Sequence, residues 1–275
     1  MGDEGPRDPS LRSGQALPSG GSSPIPHPPS PPLKAVTFDY WDTLYDGSPR
    51  RERMRMRREV IGRLIAEVGG PALTRAELDR LYHESGAEAE RWWRDEHRGY
   101  SAADRIRWLL RQLDIERPPD CAHVAAATEA VDEVLARHPA PLLAGAARML
   151  RAVSPRVRRL AIVSDTGFAS GRAQDRLLAA DDLLGLFPVR VYSCDVGHAK
   201  PHPEPFRRAL AALGLRPEEV LHVGDSERTD VGGALSAGLR AVRLDVVRRS
   251  GPSAAEFVAE NFEELGEYLA EHAGG

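Results

Sequence analysis

Lys34-Ala35-Val36-Thr37-Phe38-Asp39-Tyr40-Trp41-Asp42-Thr43-Leu44 is the segment on which the fold turns. Its first half is a short apolar run, the pattern of a strand buried on both faces, and it stops on a carboxylate at Asp39. Upstream, residues 1 to 32 are rich in Pro, Gly and Ser with few large apolar side chains. Such a stretch buries too little surface to offset its ordering entropy, so a disordered tail is expected there.

Downstream, residues 49–138 change to a helical pattern. Val60, Ile61, Leu64, Ile65 and Val68 recur at helical spacing until Gly69-Gly70-Pro71. Thr74 with Glu77, and Ser101 with Asp104, predict capping boxes that open the next two helices. A fourth helix is expected over 120–137, and nothing in the region reads as a strand.

From residue 139 the patterns alternate. Helix 142–153 precedes a strand at 159–164, and a helix then runs through Leu177 and Leu178. Strand 189–193 precedes helix 203–213. Strand 220–224 precedes helix 230–237, and strand 240–244 closes the series. Strands separated by helices imply a parallel sheet covered on both faces, so the expected fold is α/β and doubly wound. Its Rossmann-like core takes in 33–48 and 139–275, with residues 49–138 as an all-helical insertion. Ligands in such sheets bind beyond the carboxyl ends of the strands, where Asp39, Ser164 and Asp225 all fall.

Composition narrows the class. The 275 residues carry a net charge of -4, which gives no reason to expect a nucleic-acid or membrane partner. No apolar run reaches the roughly 20 residues of a membrane span, and no apolar leader is visible. Cys121 and Cys194 lie far apart and read as reduced thiols, so a cytoplasmic location is expected. Of 37 basic residues only Lys34 and Lys200 are lysine. Where arginine is so favoured, a surviving lysine marks a place that needs a compact ammonium.

Four elements occur in order: Phe38-Asp39-Tyr40-Trp41-Asp42-Thr43-Leu44, Ile162-Val163-Ser164-Asp165-Thr166, Lys200-Pro201-His202-Pro203, and Gly224-Asp225-Ser226-Glu227-Arg228-Thr229-Asp230. Singly each is a common strand end or turn. Together, over residues 34 to about 271, they resemble the haloacid dehalogenase superfamily, and the insertion looks like that superfamily's helical cap. The resemblance implies a hydrolase with Asp39 as nucleophile, acting on a small anionic metabolite, most simply a phosphate ester. It implies Mg2+ held by Asp39, Asp225 and the backbone carbonyl of Trp41, with Asp230 behind them. Ser164, Asp165 and Lys200 would contact the phosphoryl group, and Thr43 would support the first motif.

The first motif departs from the phosphatase pattern, which has a second Asp two residues after the nucleophile as general acid. Here that residue is Trp41, and Asp42 stands where the family has Gly. In an extended segment a one-residue shift turns a side chain away, so Asp42 is not expected to substitute. His198 and His202 are the nearest other candidates. An aromatic at position 41 also fits the superfamily's metal-free dehalogenases, although Asp225 argues for a cation. A Schiff-base route to carbon–phosphorus cleavage needs a lysine in the insertion, and none lies between residues 35 and 199. A binding protein on a hydrolase scaffold is the remaining alternative.

Overall fold

The computed structural model describes residues 31–48, 50–116, 121–249 and 251–274, together with Gly2. The tail expected over residues 1 to 32 lies almost wholly outside the described residues. Six strands form one parallel sheet: β1 (Ala35–Phe38), β2 (Arg159–Ser164), β3 (Val189–Tyr192), β4 (Val220–Gly224), β5 (Arg240–Leu244) and β6 (Phe257–Ala259), in the order β3-β2-β1-β4-β5-β6. This is the doubly wound α/β architecture, with the order reversing between β1 and β4.

Period-two alternation loads the two faces differently. Val36, Leu160, Ile162, Leu221, Val242 and Leu244 point to one face, where they meet Leu150, Leu178, Leu265 and Leu269. Ala35, Ala161, Val163, Val220 and Ala241 point to the other, against Phe206, Ala209 and Ala234. The first face is covered by α5 (Ala146–Val153), α6 (Gly171–Ala180) and α10 (Phe262–His272), and the second by α8 (Pro203–Leu213) and the short α9 (Gly232–Ser236), with α7 (Ser193–Val196) a single turn after β3.

Between β1 and α5 come α1 (Arg51–Glu67), α2 (Arg75–Arg94), α3 (Ala102–Arg111) and α4 (Ala122–Arg137). They have their own core around Ile61, Leu64, Ile106, Leu109 and Val131. Both capping boxes form, at Thr74/Glu77 and Ser101/Asp104. Among the described residues no helix is long and apolar enough to cross a membrane, and both cysteines are free thiols.

The sheet extends beyond the expected last strand. β6 pairs with β5, and α10 follows behind an Asn261 cap that accepts from the amides of Glu263 and Glu264. Three residues of strand are too few to show an alternation, which is why β6 is invisible in the sequence.

The insertion meets the core closely at Gly99. Its amide donates to the Gly197 carbonyl at 3.1 Å, and an added Cβ would lie 1.9 Å from the Ser193 carbonyl oxygen. Gly99→Ala is therefore expected to cost about 1–3 kcal/mol. A thermal melt should show the midpoint lower by roughly 2–4 °C per kcal/mol; an unchanged midpoint would refute the close approach.

Candidate active site

The reversal point places residues far apart in the chain on neighbouring strand ends. Phe38 stands opposite Val223, and the Asp39 amide donates to the Val223 carbonyl at 2.8 Å. Asp39 thus leaves the sheet beside Gly224-Asp225. A Cβ at Gly224 would lie 2.3 Å from the Asp230 carboxyl carbon, so only glycine lets Asp230 turn back under the strand end. Asp39, Asp225 and Asp230 each present an oxygen, and all three lie within 4.8 Å of one another.

One ammonium serves this cluster. Lys200 Nζ lies 2.5 Å from Asp39 Oδ1 and 2.6 Å from Asp230 Oδ1, and the residue is only 2% exposed. Burial works against its charge, but Asp230, Asp39 and Asp165 outweigh it and hold Lys200 protonated. Burial likewise opposes ionisation of Asp230, yet Lys200 and His222 keep it well below the usual carboxylate range. The backbone amide of Ser226 donates to its other oxygen at 3.0 Å.

His222, fully buried in β4, stands behind Asp230. Burial depresses its pKa and leaves the ring neutral. With Nε2 3.3 Å from Asp230 Oδ1 and Nδ1 2.8 Å from Thr37 Oγ1, the neutral ring donates to the carboxylate and accepts from the hydroxyl. Sequence reasoning missed this residue; the signal was a lone histidine inside an apolar strand.

Asp39 and Asp225 are left short of positive charge. Burial, with Asp230 and Asp225 nearby, pushes Asp39 well above the usual range despite Lys200. Burial, Asp230 and Asp42 push Asp225 up to about 7. Burial also raises Asp165, which accepts from the Lys200 amide at 3.1 Å. Thr43 Oγ1 lies 3.4 Å from Asp39 Oδ2. These groups open on a cleft of about 320 Å³ whose wall carries six carboxylates (Asp39, Asp42, Glu90, Asp165, Asp225 and Asp230) against three cations (Lys200, Arg98 and Arg248).

Asp42 departs from expectation. Its φ is +58°, so the segment turns left-handed there, and its side chain stays on the cleft wall. The position favours glycine, and a short polar side chain is the usual alternative because it bonds locally. Asp42 does so: Oδ1 accepts from the Gly47 amide at 2.8 Å, and Oδ2 pairs with Arg248 at 2.9 Å.

Trp41 lines the same cleft, as do Asp165, Lys200, Asp225 and Asp230. Ser164 ends β2 on the other flank of β1, 2% exposed and next to Asp165 of the cleft lining. His198 and His202 stack on each other at 3.9 Å, outside the cleft lining. Of the tryptophan pair on α2, Trp92 is a core residue of the insertion, 4% exposed. Trp93 instead reaches the cleft, where its indole N–H donates to Asp165 Oδ2 at 2.8 Å and Arg228 lies 4.7 Å from its ring.

The carboxylate crowding has a pH signature. Asp225 binds its proton more tightly folded than unfolded, so its ionisation weakens the fold as pH rises from about 4 through about 7. Asp225→Asn removes that share. In metal-free buffer the variant is expected to gain stability relative to wild type between pH 5 and pH 7.5. Parallel melting profiles across that range would contradict the raised pKa.

Comparison with known proteins agrees with this geometry. The sequence profile described as haloacid dehalogenase-like hydrolase matches residues 33–238. A phosphoserine phosphatase of Thermus thermophilus is 41% identical over 90 residues, but this covers only 33% of this chain and 36% of that protein. A glyceraldehyde 3-phosphate phosphatase of Methanopyrus kandleri is 29% identical over 77% of this chain and 84% of that protein. Among solved structures, a 2-haloacid dehalogenase of Pseudomonas syringae pv. Tomato superposes with a TM-score of 0.62 at 24% identity, covering 87% of this chain and 99% of that one, a likeness of fold alone. The profile spans most of the chain and takes in every one of the crowded carboxylates: this protein belongs to the haloacid dehalogenase-like hydrolases.

Proposed function

We propose that the chain is a magnesium-dependent phosphatase of small phosphorylated metabolites, with Asp39 as nucleophile. The observation that carries this reading is the charge deficit at the strand ends. Six carboxylates face three cations, and the one buried ammonium is already shared by Asp39 and Asp230. A hard divalent cation suits such oxygens. Asp39, Asp225 and the Trp41 carbonyl would hold it, with Asp230 orienting Lys200 and Ser226 behind them. When bound, it neutralises the repulsion between a carboxylate and an incoming phosphoryl group.

Asp39 then forms a bond to phosphorus while the bond to the leaving oxygen breaks, giving an aspartyl phosphate. Water attacks that phosphorus next, the bond to Asp39 breaks, and inorganic phosphate leaves. The Lys200 ammonium and the Ser164 hydroxyl supply charge and a hydrogen bond to the phosphoryl oxygens. The helical insertion acts as a cap whose Trp93, bonded to Asp165, excludes water from the cleft.

Trp41 offers no proton to the leaving oxygen, and both carboxylate oxygens of Asp42 are taken up by Arg248 and the Gly47 amide. Leaving groups that depart unprotonated, such as phenolates, are therefore favoured over alkoxides. Trp41 also favours a second reading, displacement of halide from carbon, which a metal-free assay on 2-haloacids separates from the first.

With magnesium, aryl phosphates are expected to be hydrolysed, and Asp39→Asn should lower the rate by at least about a thousandfold, since the bond-forming atom is lost. Because Asp225 must lose its proton to bind the ion, magnesium affinity should fall by about tenfold per pH unit below about 7. Full activity in Asp39→Asn, or none with any phosphate ester, ends the proposal. Trp41→Asp should raise the rate on alkyl phosphates by at least about tenfold; a folded variant without that gain would show that the missing acid does not limit turnover.

A further inference from the structure

Beside the cleft, sharing Trp41 and Gly167 with it, lies a second cavity of about 250 Å³. Arg50, at the N-cap of α1, and Arg53 and Arg57 on its first two turns line one side, and Phe168 lines another. Arg53 is 5% exposed and donates to the Ser48 carbonyl at 2.8 Å. The Arg57 guanidinium lies 5.5 Å from the Phe168 ring centre, and its Nε is buried without a partner. Arg105, 8% exposed, lies 4.1 Å from the same ring and, among the described residues, bonds to Ser85 Oγ and the Tyr82 carbonyl.

Among the described residues no carboxylate lies within 4.0 Å of Arg53, Arg57 or, just outside the cavity lining, Arg105, while Arg50 pairs with Asp46 at 3.7 Å. The same helix pairs its outward arginines as usual, Arg55 with Glu52 at 2.5 Å and Arg58 with Asp79 at 2.9 Å. Charged groups withdrawn from water without a counter-charge are costly. Here the cost is compounded: burial, Arg57 and Arg50 depress Arg53, which Asp46 offsets only in part, and burial is the main cause for Arg105, with Arg57 adding to it. The arginines also crowd the positive end of α1, whose N-cap, Arg50, makes no side-chain cap. Guanidinium forks beside a helix N-terminus suit a phosphate or carboxylate.

We propose that this cavity holds a second anionic group of the substrate, so that the chain acts on phosphate esters carrying a further carboxylate or phosphate. The inference rests on the phosphatase reading of the Asp39 cleft. Trp41, which replaces the family's acidic residue, forms the apolar divide between the reacting phosphate on one side and the second anion on the other.

Two measurements on the full chain test this separately. Without magnesium, sulfate titration should raise the melting temperature of wild type saturably, and the rise should vanish in Arg57→Gln and partly return in Arg57→Lys. With magnesium, kcat/KM for 4-carboxyphenyl phosphate should exceed that for phenyl phosphate by at least tenfold, and Arg57→Gln should reduce that ratio at least tenfold. No saturable sulfate response in wild type overturns the site, whatever the variants do. A sulfate response with equal use of both esters assigns the cavity to a free anion and overturns the substrate claim. Turnover of neither ester defeats the phosphatase reading and the substrate claim with it, while the sulfate result still decides the site.

Discussion

A single buried ammonium has to serve more carboxylates than it can neutralise, and the architecture around the cleft is arranged by that shortage. Lys200 satisfies Asp230 and touches Asp39, which leaves Asp39 and Asp225 competing for charge that the polypeptide does not supply. A guanidinium would be a poor replacement, because its planar fork spreads charge over a wider span than two carboxylate oxygens this close together require. Behind the pair, Thr37 and neutral His222 fix Asp230 from within the sheet, so the ammonium is clamped by a chain of bonds that begins in the central strand.

The insertion is fastened to this centre by polar contacts that bear on the same groups. Trp93 bonds to Asp165, whose other oxygen accepts from the Lys200 backbone. On α4, Asp132 accepts from the Ser170 amide at 2.9 Å, at the start of α6. A displacement of α2 would therefore reach the backbone of the residue that carries the shared ammonium through two hydrogen bonds. This gives the helical layer a direct physical route to the carboxylate cluster at the strand ends.

Much of this is readable in the sequence, and the reasons for the remainder are physical. Alternating strands and helices give the sheet, and Asp39, Lys200, Asp225 and Asp230 announce themselves by standing at strand ends and by the scarcity of lysine. Asp42 was misjudged because its direction depends on a left-handed backbone angle, and nothing in one sequence reveals that turn. His222 and Trp93 act through partners brought together by topology, so local pattern reads them only as core residues. The basic run Arg50 to Arg58 reads as a solvated helix face, but the fold buries Arg53 and sets Arg57 beside Phe168.

The strand order also bears on how the molecule is made. β1 emerges from the ribosome first of the six, yet it sits in the middle of the sheet, and its flanking partners β2 and β4 begin only at residues 159 and 220. Until they arrive, an apolar ribbon ending in Asp39 has unpaired edges on both sides. Long-range parallel pairing of this kind closes slowly and leaves aggregation-prone surface on view in the meantime. The helical insertion, with its own core, is able to form during that interval.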